Sequence, residues 1–351
     1  MEWKGVLDRY FDYLPLENRK NIVSLTEGNT PLIRARHIED MLEDDLTVYL
    51  KFEGANPTAS FKDRGMTVAV SKAVEKGEKA VICASTGNTS ASAAAFAARS
   101  DLEAIVVIPE GKIAFGKLSQ AMMHGATVVQ IEGNFDQALE LVLEISDNYP
   151  VTLVNSLNPN RIEGQKTASF EISDFLGRAP DYHLLPVGNA GNITAYWKGY
   201  KEYYESGQTE ILPRMTGFQA AGASPIVDGK KVENPETVAT AIRIGNPASW
   251  EKAENARDES GGMIGKATDD ELIEAYQALA SREGVFCEPA SAASVAGLFQ
   301  MDGTGYFDQG SVLACTLTGH GLKDPDIAIE SSEEPVTVGN DVEEVLEVSG
   351  L

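Results

Sequence analysis

The chain has 351 residues, of which 43% are apolar and 23% charged, an ordinary composition for a globular protein large enough to form two domains. Its net charge of −24 argues against a nucleic-acid partner, because phosphate backbones attract basic surfaces. The N-terminal residues lack the pattern of a secretion signal, and no run reaches the roughly 20 apolar residues that cross a bilayer. The three cysteines are scattered along the chain, which suits reduced thiols better than disulfides. We therefore expect a cytoplasmic protein with no membrane partner.

The first chemically informative segment is NPTASFKDRGM, residues 56–66. Ser60 and Asp63 have the spacing of a helix-capping arrangement, which predicts a helix that starts here and ends at Gly77. Lys62 would lie in its first turn, where the helix dipole and burial both disfavour an ammonium. A neutral amine is the nucleophile that imine formation needs. Taken alone, the segment fits a solvated lysine at a helix end at least as well.

Four β-rich runs alternate with helical patterns between Ala80 and Val154, which predicts a parallel sheet with right-handed crossovers. The loop after the first run, STGNTS, has a glycine for a tight turn and a helix start near Asn88. Its hydroxyls at Ser85, Thr86 and Thr89 add donors, so the loop suits a carboxylate or a phosphate. An ordinary, well-capped strand-to-helix turn explains it equally well.

A second alternating series follows the first, with nearly all-apolar strands that suit a sheet covered on both faces. It contains a helix over 161–175, strands at 183–187 and 312–317, and later helices over 269–282 and 290–301. We expect irregular connections over 223–266 and a solvated acidic tail, with one short helix, beyond 330.

Two loops of the second series are polar where strands end. One of them suits a phosphate-binding nest and consists of Gly188, Asn189, Ala190, Gly191 and Asn192. It matches neither a Walker loop nor a dinucleotide fingerprint, and a Gly-rich loop without ligand is the alternative. The other begins at Thr318, at the carboxyl end of an apolar strand, which is where open parallel sheets bind ligands.

Together and in this order, SFKDRG, STGNTS, GNAGN and LTGHGLKD resemble the fold-type II pyridoxal phosphate (PLP) enzymes, and LTGHGLKDPD resembles the threonine synthases among them. The resemblance runs from about Ser24 to Asp326. It implies an α/β fold of two domains, each an open, mostly parallel sheet flanked by helices. The large PLP-binding domain would comprise residues 1–53 and 155–330 and the small mobile domain residues 54–154, with an acidic tail at 331–351.

The resemblance also implies roles for the motifs. Lys62 would hold PLP as a Schiff base and then move protons, while Asn88 would hydrogen-bond the phenolic oxygen. Thr318 would hydrogen-bond the pyridine nitrogen as a neutral partner and leave it weakly protonated. The loop from Gly188 to Asn192 would bind the cofactor phosphate. The substrate carboxylate would bind to Ser85, Thr86 and Thr89.

The implied reaction converts O-phospho-L-homoserine and water into L-threonine and phosphate by γ-elimination and β-addition of water, in a homodimer. The substrate phosphate requires a second anion site, for which the candidates are Asn155, Ser156 and Arg161, with Lys112 and Lys117 behind them. Arginine suits bidentate phosphate binding, although an arginine at a helix start is usually solvated.

Two rival functions stay open at this point. A threonine or serine dehydratase resembles the chain at the lysine, but typically has a run of glycines in the phosphate loop and a Ser or Cys opposite the pyridine nitrogen, unlike GNAGN and Thr318. A non-catalytic metabolite-binding α/β protein would use the same Gly-rich loops, and it predicts a colourless protein.

Overall fold

A computed structural model of the chain describes residues 2–110 and 115–351. Within these residues the chain forms two sheets. Their strands, in chain order, are β1 (Leu32–Arg34), β2 (Thr47–Phe52), β3 (Ala80–Ala84), β4 (Glu103–Pro109), β5 (Thr127–Ile131), β6 (Val151–Leu153), β7 (Tyr182–Pro186), β8 (Arg214–Ala220), β9 (Met263–Ala267) and β10 (Val312–Leu317).

The helices of the described residues fill the connections. They are α1 (Val6–Arg9), α2 (Arg36–Glu39), α3 (Lys62–Lys76), α4 (Asn88–Arg99), α5 (Phe115–Met123), α6 (Phe135–Asn148), α7 (Pro159–Gln165), α8 (Thr167–Leu176), α9 (Gly191–Glu205), α10 (Pro225–Asp228), α11 (Trp250–Ser260), α12 (Asp269–Glu283), α13 (Ala293–Met301), α14 (Pro325–Glu330) and α15 (Val342–Ser349). Short 3₁₀ turns lie at Phe11–Tyr13, Arg19–Asn21, Glu53–Ala55, Thr240–Ile242, Pro289–Ala292 and Gly321–Lys323. None of these helices is both long and apolar enough to cross a membrane.

The larger sheet has the strand order β1-β2-β10-β7-β8-β9. Only the β1–β2 pair is antiparallel, and the other pairs are parallel. One face packs against α2, α12 and α13 through an apolar cluster that includes Phe218 and Leu313. The opposite face packs against α8, α9 and α11 through Leu185 and Met215. Coverage of both faces explains why the central strands are so uniformly apolar.

The smaller sheet is wholly parallel, in the order β5-β4-β3-β6. Helices α3, α4 and α5 cover one face, where Val81, Cys83 and Val106 are buried. Helix α6 covers the other face over Ile82 and Val107. The predicted alternation of strands and helices from Ala80 onward is thus confirmed, because short apolar runs mark the strands and helical patterns lie between them.

Three predictions about local structure were wrong. Ser60 and Asp63 do not form a cap: α3 has no side-chain cap, and the Asp63 carboxylate accepts hydrogen bonds from Thr58 and Ser92 instead. The helix expected over 161–175 is divided into α7 and α8 at Lys166. The stretch expected to be irregular over 223–266 contains α11, which is too polar to show an apolar period, and most of the short edge strand β9.

Candidate active site

A cavity of about 690 Å³ lies where the carboxyl ends of strands from both sheets meet. The loops after β3 and β6 of the smaller sheet reach it, as do those after β7 and β10 of the larger sheet. The lining includes every residue that the sequence proposed for direct contact with cofactor or substrate: Lys62, Ser85, Thr86, Asn88, Thr89, Asn155, Ser156, Arg161, Gly188, Asn189, Ala190, Gly191, Asn192 and Thr318. The structure therefore brings together residues that lie up to 256 positions apart in the chain, from Lys62 to Thr318.

Helices α3 and α7 cross in direct backbone contact beside the cavity. A Cβ atom added to Gly65 would lie 2.7 Å from Nε of Arg161, and one added to Gly164 would lie 1.8 Å from the carbonyl oxygen of Arg64. Only glycine permits this approach. The crossing fixes the start of α3, which carries Lys62, next to the guanidinium of Arg161.

A buried ion network holds the same end of α3. The Arg64 guanidinium donates to both oxygens of Glu53, at 2.6 and 2.8 Å, and to both oxygens of Glu171, at 2.7 Å each. The Lys51 amine donates to Glu171 at 2.7 Å. Two cations and two carboxylates balance in charge, so the network can persist away from water and anchor α3 two residues from Lys62.

The partly exposed Lys62 side chain lines the cavity, and its amine lies 4.3 Å from the centroid of the Phe61 ring. Burial and the positive charge of Arg161 lower the pKa of this amine to about 7, against the opposing effect of Glu288. A large fraction of the amine is therefore neutral and nucleophilic near neutral pH.

The loop from Gly188 to Asn192 has the features of an anion-binding nest. Ala190 has left-handed backbone angles, φ 62° and ψ 3°, and precedes α9, whose first N–H groups lack intrahelical acceptors. Both polar atoms of the buried Asn192 amide have no hydrogen-bond partner among the described residues. Gly188 lies so close to Ile242 that a Cβ atom added to Gly188 would lie 3.0 Å from the Cα of Ile242. The donors among these groups, the free N–H groups of α9 and the Asn192 amide nitrogen, fit the phosphate of PLP.

The loop between β3 and α4 supplies a second set of anion donors. Gly87 precedes α4, and the Ser85 hydroxyl accepts from its backbone N–H at 3.2 Å, which closes the turn. Thr86 and Thr89 line the cavity beside the first turn of α4. Hydroxyls and free backbone N–H groups at a helix start suit a substrate carboxylate.

Glu288 is a cavity residue whose role the sequence did not predict. It is 3% exposed, accepts from the Asn88 amide at 3.0 Å, and accepts from the Thr318 hydroxyl at 2.9 Å. The Thr318 hydroxyl also lies 3.0 Å from that of Ser291. Glu288 begins the segment EPASAAS, which forms the 3₁₀ turn Pro289–Ala292 ahead of α13.

The three residues proposed for the substrate phosphate differ in how many of their hydrogen-bonding groups are already used within the protein. The Asn155 amide pairs with the backbone of Ala84, accepting and donating at 2.9 Å, which leaves it one free amide hydrogen. Ser156 lies on the cavity wall. The buried Arg161 donates to the carbonyl of Val154 at 2.7 Å, and its Nε has no acceptor among the described residues. Burial lowers the pKa of Arg161 to about 10 and leaves it cationic at neutral pH.

Two further cations line the cavity and were missed as site residues. Lys323, from LTGHGLKD, donates to Gln120 of α5 at 2.6 Å and to the carbonyl of Thr58 at 3.3 Å. Arg243 lies in the polar stretch read as irregular. Of the two lysines placed behind Arg161, Lys112 lies outside the described residues, and the side chain of Lys117 is not described.

Within the described ranges, no group of His, Cys, Asp and Glu side chains could hold a metal ion. The three cysteines are buried free thiols. Burial raises the pKa of the Cys287 thiol, which keeps it protonated and unreactive at neutral pH.

Comparison with known protein families matches residues 23–319 to the pyridoxal-phosphate dependent enzymes. Curated relatives described as threonine synthase are similar over nearly the whole chain. The protein from Synechocystis sp. is 57% identical over 96% of this chain and 88% of its own length. The protein from Halalkalibacterium halodurans is 56% identical over 99% of this chain and 97% of its own length. The protein from Methanocaldococcus jannaschii is 52% identical over 95% of this chain and 84% of its own length.

Solved structures share the fold at lower identity. The processed form of threonine deaminase isoform 2 from Solanum lycopersicum superposes with a TM-score of 0.75 at 22% identity, covering 95% of this chain and 95% of its own. Maize serine racemase superposes with a TM-score of 0.75 at 18% identity, covering 99% of both chains. The predicted two-sheet α/β fold of the fold-type II enzymes is thereby confirmed.

Proposed function

The chain belongs to the threonine synthases among the pyridoxal-phosphate-dependent enzymes, and from this membership we propose how its own residues carry out the reaction. It is a PLP-dependent carbon–oxygen lyase of threonine biosynthesis. The substrate in our proposal is O-phospho-L-homoserine, which reacts with water to give L-threonine and phosphate. The observation that carries the proposal is the convergence of Lys62, two anion-binding loops and Thr318 on one cavity.

Four elements of the cavity would hold the cofactor. Lys62 attaches it covalently, the loop from Gly188 to Asn192 binds its phosphate, Asn88 contacts the phenolic oxygen of its ring, and Thr318 contacts the ring nitrogen. The unpartnered Asn192 amide and the left-handed Ala190 support the phosphate position. When bound, PLP supplies an electron sink for negative charge at the substrate carbons.

Lys62 is positioned to move protons. Because the pKa of its amine is about 7, the same group can take a proton from Cα and later return one at Cγ near neutral pH. Between these steps a Cβ proton and the γ-phosphate leave. After Cγ has been protonated, the oxygen of a water molecule adds at Cβ and a proton returns to Cα. Ser85, Thr86 and Thr89 would fix the substrate carboxylate, which orients the Cα–H bond toward Lys62.

A second anion site, separate from the cofactor phosphate loop, would bind the substrate phosphate. We assign it to Arg161, Ser156 and the remaining amide hydrogen of Asn155. Arg161 is suited to this role because it lines the cavity, and arginine binds phosphate oxygens in pairs. Its pKa of about 10 keeps it charged through the working pH range.

The proposal includes a division into domains and an assembly. Residues 1–53 and 155–330 would form the large domain around the six-stranded sheet, and residues 54–154 the small domain around the four-stranded sheet, able to close on substrate. Residues 331–351 form the acidic tail. We expect a homodimer in the cytoplasm, and the buried free thiols suit a reducing compartment. Analytical ultracentrifugation tests the assembly.

The spectrum of the purified protein tests the placement of the cofactor. We expect a visible absorption band that borohydride reduction abolishes, followed by recovery of the reduced adduct on the peptide that contains Lys62. Lys62→Ala should lack the adduct. Lys72, on the same helix and ion-paired with Glu75, provides the matched control, because Lys72→Ala should leave the adduct in place. A colourless protein that takes up no PLP, or an adduct on another lysine, would overturn the proposal.

A further inference from the structure

The second half of the motif LTGHGLKDPD has no role in the reaction as described so far. Thr318 would contact the cofactor ring, whereas Lys323 ends the 3₁₀ turn Gly321–Lys323 and Asp324 directly precedes α14. Both side chains line the cavity, Asp324 buried and Lys323 half-buried. Their hydrogen bonds show what this part of the motif does.

Lys323 joins the segment that follows β10 of the larger sheet to α5, which covers the smaller sheet. Its amine donates to the Gln120 side-chain oxygen at 2.6 Å. The same amine donates at 3.3 Å to the carbonyl of Thr58, in the turn that precedes Lys62. Ser119 and Gln120 of α5 line the cavity. One amine therefore links the cavity side of α5 to the turn before Lys62.

The Thr58 end of this link is firmly held. The buried Asp63 carboxyl accepts hydrogen bonds from both the backbone N–H and the hydroxyl of Thr58, and a third from Ser92 of α4 at 2.6 Å. All three residues are buried, so water does not compete for these bonds. Thr58 is thus a fixed point, and α5 is the element that Lys323 restrains.

Asp324 holds the other side of the same segment. Its carboxyl accepts from the Thr240 hydroxyl at 2.7 Å. Thr240 begins the 3₁₀ turn Thr240–Ile242, which lines the cavity and packs against Gly188 of the phosphate loop. Consecutive residues of the motif therefore connect the cofactor-phosphate side of the cavity to α5.

The link to α5 does not require a charged lysine. Burial lowers the pKa of Lys323, against the opposing effects of Glu288 and Asp63. A neutral amine has one hydrogen fewer than the three of an ammonium, which still leaves enough for Gln120 and Thr58. The contact therefore persists in either protonation state.

We propose that Lys323 is a positioning residue that, through Gln120, holds α5 against the cavity so that the reacting substrate is hydrated at Cβ before it can be lost. The inference rests on the proposed function. A cavity that excludes bulk water prevents side reactions of this kind. Hydrolysis at the substrate nitrogen would instead give 2-oxobutanoate and ammonia in place of threonine. Either route consumes one water and releases one phosphate for each O-phospho-L-homoserine.

The ratio of keto acid to threonine formed by purified holoenzymes measures this role, and a change in the amount of folded protein does not alter it. We expect Lys323→Met to raise the ratio about 2- to 10-fold, as the loss of one or two hydrogen bonds predicts. Gln120→Leu removes the contact from the α5 side and should raise the ratio in the same way. Lys323→Arg keeps a donor and should stay within about twofold.

A matched control and a double variant complete the test. Lys266→Met removes a lysine ion-paired with Asp228 away from the cavity lining, and the ratio should not change. The double variant Lys323→Met with Gln120→Leu should match Lys323→Met alone, because the contact is already lost in the single variant.

The outcomes separate this inference from the proposed function. Unchanged ratios in both Lys323→Met and Gln120→Leu overturn the inference, as do effects that multiply in the double variant. Where Lys323→Met folds poorly, Gln120→Leu alone decides the matter. An unmodified holoenzyme that releases no phosphate from O-phospho-L-homoserine, or that yields mainly keto acid, would instead overturn the proposed function.

Discussion

Gly164 lies against the backbone of Arg64 so closely that a Cβ atom on Gly164 would come within 1.8 Å of the Arg64 carbonyl oxygen. This contact joins α7, which carries Arg161, to α3, which carries Lys62. The lysine proposed to hold the cofactor and the arginine proposed to bind the substrate phosphate are thus fixed relative to each other by one glycine. The distance from Lys62 to the proposed substrate-phosphate site depends on this crossing.

Gly164→Ala should therefore force the two helices apart. We expect a loss of at least about 3 kcal/mol in the free energy of unfolding, because the backbone on the other side cannot yield as a flexible side chain would. Gly207→Ala is the control: nothing lies within 4 Å of its added Cβ, and only its φ of +71° is unfavourable, so about 1 kcal/mol should be lost. Denaturant unfolding measures both, and equal losses would contradict the account.

The ion network beneath α3 should dominate the acid stability of the fold. Burial acts to raise the pKa of Glu171, yet the charges of Arg64 and Lys51 hold it at about 2. Because the folded-state pKa is depressed, this stabilisation is complete above the usual value near 4.5 and is lost as pH falls toward 2.

Glu171→Gln should cost about 3–5 kcal/mol at neutral pH, since it leaves buried cations uncompensated, and should flatten the acid branch of the stability curve. Unfolding measured from pH 7 to pH 3 tests both effects. The exposed pair Lys201–Glu259 is the control, where Glu259→Gln should cost at most about 1 kcal/mol. A Glu171→Gln protein with unchanged stability and pH profile would refute the role of the network.

Much of this architecture could be predicted from the sequence, because the informative patterns are local. The four strands of the smaller sheet and the helix from Lys62 to Lys76, ended by Gly77, follow from apolar periods and a glycine with left-handed backbone angles. The convergence of the four motifs could also be predicted, because loops at the carboxyl ends of parallel strands meet at one edge of a sheet.

The remainder depends on contacts between distant residues, which no local pattern contains. Asp63 has the spacing of a cap, yet Thr58 and Ser92 provide better donors in the folded protein. Helix α11 packs through two alanines, so its sequence shows no apolar stripe. Glu288 is informative only once Asn88, 200 positions away, lies beside it.

The reactivity of Lys62 should reveal its depressed pKa. An amine with a pKa of about 7 is mostly neutral above that pH, so the rate at which apoenzyme captures PLP should rise through pH 7 and then level off. Stopped-flow absorbance follows the capture. Arg161→Met should move the midpoint upward, because it removes a positive charge that disfavours the ammonium. A midpoint near 10.5 in the unmodified protein would show an ordinary solvated lysine.

Substitution of Arg161 tests the site of the substrate phosphate. Arg161→Lys keeps the charge near Lys62 but loses the paired donors, so kcat/KM for O-phospho-L-homoserine should fall about 10- to 100-fold, mainly through KM. Arg243→Lys makes the same change at an exposed cation of the cavity rim, and a change of less than about fivefold is expected. A larger fall in kcat/KM for Arg243→Lys than for Arg161→Lys would place the phosphate site at Arg243 instead.

The central claim is that this cavity expels phosphate from O-phospho-L-homoserine and adds water with Lys62 as the proton carrier. Its most direct test is to measure phosphate, threonine and keto acid together as the purified holoenzyme turns over this substrate, with Lys62→Ala in parallel. We predict phosphate and threonine in equal amounts, little keto acid, and loss of all products in Lys62→Ala. Keto acid as the dominant product, or phosphate release that survives in Lys62→Ala, would contradict the account.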